Sequence, residues 1–131
     1  MIKYLKNKIL TFLKINHFKK EQEEIKILLG NLNNKINRIN QPKDLKDIEF
    51  KVFSQFGDDG IIQYLIEKID IPEEYKNFIE FGVENYAESN TRYLLFNNNW
   101  SGLIMDASNK NINEIKNSNY YWKFDLEVIC E

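Results

Sequence analysis

The sequence predicts an α/β fold with about three parallel strands, preceded by a helical N-terminal segment. Short apolar runs bounded by turn residues occur at residues 77–81, 100–106 and 120–129, and each run is typical of a buried strand. Segments with helical spacing lie between these runs. Strands that alternate with helices of about ten residues form a parallel sheet. Residues 1–42 show helical spacing alone.

Residues 1–20 are both basic and apolar, with six lysines and no acidic residue, whereas the whole chain carries a net charge of −2. The acidic remainder argues against a nucleic-acid partner. Lysines interrupt every apolar run, so neither a membrane span nor a signal peptide is predicted. One helical face carries Ile2, Leu5, Ile9, Phe12 and Leu13. Two interpretations stay open: peripheral contact with an anionic membrane, or packing on the domain or a partner.

Residues 21–40 continue with helical spacing and contain a short coiled-coil pattern. The pattern steps by four and three residues through Ile25, Leu29, Leu32, Ile36 and Ile39. It covers fewer than three heptads, and Gly30 and five asparagines weaken it. A helical hairpin or a weak self-association contact is therefore favoured over a long coiled coil.

A domain boundary is predicted at Pro42, because a proline pushes the preceding residue, here Gln41, out of the helical region. The chain then divides into a helical segment, 1–42, and an α/β domain, 43–131.

Three helices are predicted inside the domain. The first begins at Asp58 or Asp59 as its cap. Its inward-facing residues are predicted to be Ile61, Ile62, Leu65, Ile66 and Ile69. The second covers residues 89–99 with Ser89 or Asn90 near its cap, and the third covers residues 108–117.

The candidate site lies where the strands end, because parallel α/β sheets bind ligands at the carboxyl ends of their strands. The candidate residues there are Glu80, Gly82, Val83 and Glu84 after the first strand, Asp106 and Ala107 after the second, and Asp125 in the third. A carboxylate such as Asp106 offers two acceptor oxygens to the hydroxyls of a ribose. Gly82 lets the backbone approach a ligand without an intervening Cβ, and Glu80 can accept from an ammonium group.

The loop chemistry favours a cofactor that has a ribose and an amino group but no phosphate. Dinucleotide sites use G-x-G-x-x-G, so that the pyrophosphate rests on a helix N-terminus. Here only Gly82 is present, and Glu84 and Glu88 would repel a diphosphate, which disfavours an NAD oxidoreductase. S-adenosylmethionine (SAM) meets the description. On spacing alone, the simpler interpretation is structural, with Glu80 capping a turn and Asp106 capping the next helix.

Three stretches, FSQFGDDGIIQYL, FIEFGVENYAESNTRYLL and NWSGLIMDAS, resemble in order and spacing the N-terminal half of FkbM-type SAM-dependent methyltransferases. The resemblance covers about residues 50–131 and implies a partial, truncated Rossmann-like domain of the class I methyltransferase kind. It implies that Glu80 and Gly82 line the methionine end of SAM and that Asp106 holds the ribose. It also implies that Gln55 and Asp59 close over the cofactor.

The resemblance implies an O-methyltransferase for a small-molecule or saccharide acceptor, such as a sugar of a surface glycan or a lipid-linked saccharide. The family's glycines at positions 84 and 86 are absent, which predicts a less tightly turned loop. The family fold continues past a third strand, so these 131 residues are expected to be a fragment with little or no turnover alone. The alternative is a non-catalytic module that binds a partner protein or a membrane surface and does not bind SAM.

The chain has one histidine, His17, and one cysteine, Cys130, so no zinc site is predicted. His17 is expected at the surface, and no catalytic base is evident. A single cysteine cannot form a disulfide within the chain, which fits a reducing compartment. We therefore expect a cytoplasmic protein, peripheral to the inner face of the membrane if residues 1–20 bind lipid.

Overall fold

The computed structural model describes residues 1–40 and 42–131, apart from the side chains of Ile2 and Lys3; the conformation predicted for Gln41 lies outside these residues. The elements are α1 (Ile2–Asn40), α2 (Asp58–Lys68), β1 (Asn77–Phe81), α3 (Arg92–Asn98), β2 (Ser101–Asp106), α4 (Asn109–Lys116) and β3 (Leu126–Cys130). Short 3₁₀ turns occupy Leu45–Asp47 and Glu73–Tyr75. The predicted α/β class, the three parallel strands and the N-terminal helix are confirmed.

The three strands form an open parallel sheet in the order β1–β2–β3. Its register places Phe78 beside Gly102 and Gly102 beside Leu126. The core lies on the face that carries Phe78 and Ile104, where residues of α3 and α4 pack against the strands. Both crossover helices share this face because consecutive right-handed β–α–β crossovers in one direction lie on one side of a sheet.

The opposite face of the sheet is uncovered in the part of the chain that the structure describes. Ile79 and Phe81 alternate with the buried residues of β1 and are 58% and 71% exposed. Leu103 and Met105, beside them on β2, are half-buried. Parallel sheets usually have both faces covered. These four residues therefore form an apolar surface, called here the open face.

Helix α1 is continuous over 39 residues, about 58 Å at 1.5 Å per residue, so the predicted hairpin within residues 21–40 is wrong. Residues 4–22 of this helix are all exposed to solvent. No helix among the described residues is both long enough and apolar enough to cross a membrane.

The C-terminal half of α1 docks on the domain mainly through small and polar side chains, together with Ile27, which packs on an apolar cluster of the domain. A Cβ on Gly30 would lie 2.7 Å from both Tyr93 Oη and Val52 Cγ2, so the helix backbone approaches the domain very closely here. The side chain of Asn34 donates to Gln63 Oε1 at 3.3 Å. This side of α1, called the docked face, consists of the buried residues Gly30 and Asn34 and the half-buried residues Glu23, Ile27, Asn31 and Asn37.

The predicted inward face of α2 is only partly correct. The helix buries Asp59, Gly60 and Gln63, while Leu65 and Ile69 are exposed. The polar side of α2 is buried because Asp59 accepts hydrogen bonds from the segment before the helix, and Gln63 pairs with Asn34 of α1 and with Asn98 of α3. Neither predicted aspartate caps the helix, since its N-cap is Gly57, with no side-chain hydrogen bond.

Helix α3 begins at Arg92, later than the predicted cap at Ser89 or Asn90. The delay is caused by a tertiary contact, because Glu80 of β1 accepts the backbone N–H groups of Asn90 and Thr91 and holds them in a loop. The C-terminal end agrees with the prediction: Asn99 ends the helix in the left-handed conformation, with φ of 56°.

Strand β3 begins at Leu126, six residues later than predicted. The aromatic residues before it form turns instead of strand. Tyr120 and Phe124 pack against Phe96, with ring centroids 5.4 and 5.0 Å apart. Their apolar character therefore reflects packing on the core cluster and not pairing in the sheet.

Candidate cofactor-binding site

Glu80, near the carboxyl end of β1, is held by donors of the segment that follows the loop. Its Oε2 accepts the Ser89 hydroxyl and the Thr91 hydroxyl, both at 2.5 Å, and the Thr91 N–H at 3.0 Å. Its Oε1 accepts the Asn90 N–H at 3.1 Å. Oε1 therefore retains one acceptor position, while Oε2 is saturated. Glu80 mainly fixes the S-N-T segment in place.

The loop after β1 alternates left-handed residues. Gly82, Glu84 and Tyr86 have φ of 67°, 50° and 62°. Glu84 and Tyr86 stand where the resembling family has glycines, and their left-handed conformations are held by the burial of Tyr86 and by a hydrogen bond from the Glu84 N–H. Among the described residues, no atom outside Gly82 and its two chain neighbours lies within 4 Å of the position that a Cβ on Gly82 would take. The space in front of Gly82 is open to a ligand.

Asp106 ends β2 and lies against this loop. Its Oδ2 accepts the Glu84 N–H at 2.8 Å, and its Oδ1 accepts the Ser108 N–H at 2.8 Å and Asn111 Nδ2 at 3.0 Å. The Ser108 N–H lowers the pKa of Asp106 most, and Asn111 and the Glu84 N–H lower it further against the effect of burial. The carboxylate is thus held ionised, with one acceptor position left on Oδ2.

Two other predicted site residues, Val83 and Ala107, directly follow Gly82 and Asp106 in the chain. Val83 follows Gly82, but its side chain is buried in the core cluster, so only its backbone borders the loop. Ala107 is exposed, and its carbonyl lies 3.7 Å from Cys130 Sγ. Cys130 is the register partner of Asp106 on β3, which places the chain's single thiol at the same edge of the sheet.

Asp59, which the resemblance implied closes over the cofactor, is buried inside the protein. The residue is 1% exposed, and its Oδ2 accepts the N–H groups of Val52 and Phe53 at 2.7 Å each, together with the N–H and hydroxyl of Ser54. Asp59 therefore organises the segment before α2 from inside. Gln55, by contrast, is exposed in that segment, which joins the site through the Ser89 N–H to Phe53 carbonyl bond of 3.1 Å.

Asp125 lies at the wrong edge of the sheet for the predicted role. It precedes β3, and its carbonyl accepts the N–H of Gly102 near the start of β2. The strands are parallel, so this is the amino edge, opposite Asp106. The error follows directly from the predicted strand having been extended back over residues 120–125.

Several contacts within the candidate site were not predicted. Asn111 reaches Asp106 from the first turn of α4, and Thr91 and Ser89 reach Glu80. A signal existed in both cases: an amide three residues after the Ser108 cap, and two hydroxyl residues nine and eleven positions after Glu80. Neither pattern by itself specifies which carboxylate it will contact.

Comparison of the chain with protein-family models, curated proteins and solved structures finds no match. Across residues 1–40 and 42–131, no group of three or more His, Cys, Asp or Glu side chains is arranged to hold a metal ion. The site is therefore characterised by its own geometry: an open glycine, a left-handed loop and an ionised carboxylate at one edge of a parallel sheet.

Proposed function

We propose that this chain binds SAM at the carboxyl edge of its sheet, as the cofactor-binding part of an FkbM-like O-methyltransferase. The observation that carries the proposal is the convergence of Gly82 and Asp106. The open space over Gly82 adjoins a loop whose Glu84 N–H lies 2.8 Å from Asp106 Oδ2. Both predicted contacts with an adenosyl ligand thus lie on one side of the molecule.

The acceptors at this edge suit SAM better than a dinucleotide. Asp106 Oδ2 has one position for a ribose hydroxyl, and Glu80 Oε1 has one for an ammonium donor. The negative charges of Glu80, Glu84 and Asp106 attract a sulfonium and an ammonium group but repel a diphosphate. When bound, SAM supplies a methyl group activated by the positive sulfur. The residues of this chain bind and orient the cofactor.

The proposal concerns cofactor binding and not turnover by this chain. His17, the single histidine, pairs with Glu21 at 3.4 Å on the exposed half of α1 and is not among the residues of the sheet edge. A methyl acceptor usually needs a base within hydrogen-bond reach of its hydroxyl. We expect no detectable methyl transfer by this chain when it is purified by itself.

Calorimetry of the full chain with SAM and with S-adenosylhomocysteine tests the proposal. We expect a Kd below about 1 mM for at least one of them, and no heat with NAD. Asp106→Asn should weaken binding at least tenfold, about 1.4 kcal/mol. Asp125→Asn is the matched control, since it changes an aspartate at the opposite edge, and it should leave the Kd unchanged.

A folded wild-type chain that binds neither ligand at about 1 mM would refute the proposal, as would equal losses in the two variants. The second candidate function is then a non-catalytic module at a membrane surface on the cytoplasmic side. The observation that favours it is the exposure of residues 4–22 of α1, with their lysines and apolar side chains. Co-sedimentation with phosphatidylserine vesicles but not with phosphatidylcholine vesicles would support it.

A further inference from the structure

We propose that a second copy of this chain covers α1, through a parallel two-stranded coiled coil. The contact surface is an apolar seam that repeats with spacings of three and four residues. The seam consists of Ile15, Phe18, Gln22, Ile25, Leu29, Leu32, Ile36 and Ile39. It spans more than three heptads and is interrupted by one polar residue, Gln22. The proposal does not depend on SAM binding.

The seam and the docked face lie on opposite sides of α1. Residues two apart on an α-helix are separated by about 200° around its axis, so Leu32 and Ile36 point away from Gly30 and Asn34. Gly30 and Asn34 are buried against the domain, whereas Leu32 and Ile36 are 53% and 42% exposed. The domain is therefore attached by the small and polar side of the helix, and the apolar side remains available to a partner.

The available apolar area is sufficient for a specific contact. The seven apolar seam residues are between 42% and 79% exposed. They present on the order of 600 Å² per helix, so a symmetric pair would bury on the order of 1,200 Å², above the ~1,000 Å² expected of a specific interface. A narrow stripe of this kind fits another helix better than a flat surface, because the seam of a coiled coil is narrower than the apolar face of an ordinary amphipathic helix.

The polar position favours a parallel pair of identical helices. In a parallel pair each inner position faces its own counterpart, so the two Gln22 amides can hydrogen-bond to each other. An antiparallel pair would bury Gln22 against an apolar residue, which leaves a polar group unsatisfied. Glu21 and Lys26 occupy flanking positions that attract across the parallel interface. Lys14 and Lys19 repel there, so the pairing is strongest from Gln22 to Ile39.

Sedimentation equilibrium of the full chain tests the proposal. The wild type should have twice the 15.7 kDa chain mass at micromolar concentrations. Leu29→Glu with Leu32→Glu places charge in the seam and should give a monomer with unchanged helical circular dichroism. Leu10→Glu with Leu13→Glu is the matched control, because it makes the same two changes on the same exposed helix outside the seam. The control should remain a dimer.

A wild-type monomer at about 100 μM would overturn the proposal, as would a seam variant that keeps the dimer mass. Orientation is tested with Gln22→Cys in a Cys130→Ser background. Mild oxidation should cross-link this variant almost completely, since the two sulfurs face each other in a parallel pair. A dimer that does not cross-link would show that the parallel arrangement is wrong.

Discussion

Glu84 and Tyr86 hold left-handed conformations that are unfavourable for residues with a Cβ. Each such residue costs roughly 1 kcal/mol relative to glycine. The cost is offset by specific contacts, because Tyr86 is fully buried with its hydroxyl 3.1 Å from Thr91 Oγ1, and the Glu84 N–H donates to Asp106. Burial also raises the pKa of Tyr86. Tertiary contacts thus impose a loop geometry that the local sequence disfavours.

Glu84→Gly should stabilise the protein by about 0.5–1 kcal/mol, because the exposed side chain is lost while the left-handed backbone becomes unstrained. Thermal unfolding measures the effect. Ala87→Gly, three residues later and without a positive φ, should destabilise by a similar amount. Equal effects of the two glycines would contradict the assignment of strain to position 84.

The lowered pKa of Asp106 predicts a particular dependence of stability on pH. The native state binds this proton less tightly than the unfolded chain, whose aspartate pKa is about 3.9. The stabilisation is therefore fully present above about pH 5 and is lost as the pH falls through the lowered native value. Urea unfolding should show that the advantage of the wild type over Asp106→Asn is constant from about pH 5 to 7 and shrinks below about pH 4. A constant difference down to about pH 2 would contradict this expectation.

At the scale of elements, the sequence predicts the bounds of a strand or helix best where residues close in sequence mark its ends. Strand β1 matches its predicted bounds, and α3 ends at Asn98, one residue before the predicted end of the helix at residue 99. The starts of α3 and β3 were misplaced, because each depends on contacts distant in sequence: Glu80 with Thr91, and Phe96 with Tyr120. Propensity alone cannot report such contacts.

The site was predictable to the extent that it follows from topology. Gly82 and Asp106 lie together because parallel strands bring their carboxyl ends to one edge. The inward role of Asp59 was not predictable, since the same motif suits either a capped turn or a ligand contact. The side chain of Asn111 also could not be assigned, because its target depends on the distance between α4 and β2.

The docking of α1 depends on the absence of a side chain at Gly30. Glycine to alanine inside a helix ordinarily stabilises by about 1 kcal/mol. Here the added Cβ would lie 2.7 Å from atoms of buried Tyr93 and Val52, and overpacking of this kind costs about 1–3 kcal/mol. Gly30→Ala should therefore destabilise the protein in chemical denaturation.

Asn33→Ala is the control for the docking prediction, because Asn33 is exposed on the same helix. This substitution should stabilise the protein by roughly 0.5 kcal/mol, because alanine has a higher helix propensity than asparagine. If Gly30→Ala were at least as stable as Asn33→Ala, the close approach of α1 to the domain would not exist in solution.

For the molecule as a whole, Arg92 connects the two parts of the structure. Its guanidinium donates to Glu23 of α1 at 3.1 Å and to the Ala87 carbonyl at 2.9 Å. The same group lies over the rings of Phe53 and Phe96, at 4.3 and 5.0 Å from their centroids. This buried cation contacts the long helix, the loop of the candidate site and the aromatic core. A displacement of α1 would therefore alter contacts inside the domain.

The open face gives the whole molecule a second apolar surface, at an unpaired edge of the sheet in the described part of the chain. Exposed apolar strands at a sheet edge promote aggregation. Phe81→Lys should reduce light scattering by aggregates larger than the dimer while changing the free energy of unfolding by less than about 0.5 kcal/mol. Phe78→Lys, on the covered face, should instead unfold the domain. Equal destabilisation by both would mean that Phe81 is covered in solution.

Cys130 has a practical consequence for study of this protein. The chain contains one thiol, and it lies beside Asp106, with Sγ 3.7 Å from the Ala107 carbonyl. A fluorophore coupled to this sulfur would report from the edge of the sheet without any engineered residue. A ligand bound at that edge should slow the alkylation of the thiol by iodoacetamide. Mass spectrometry of the alkylated fraction at increasing ligand concentration would therefore give a binding curve.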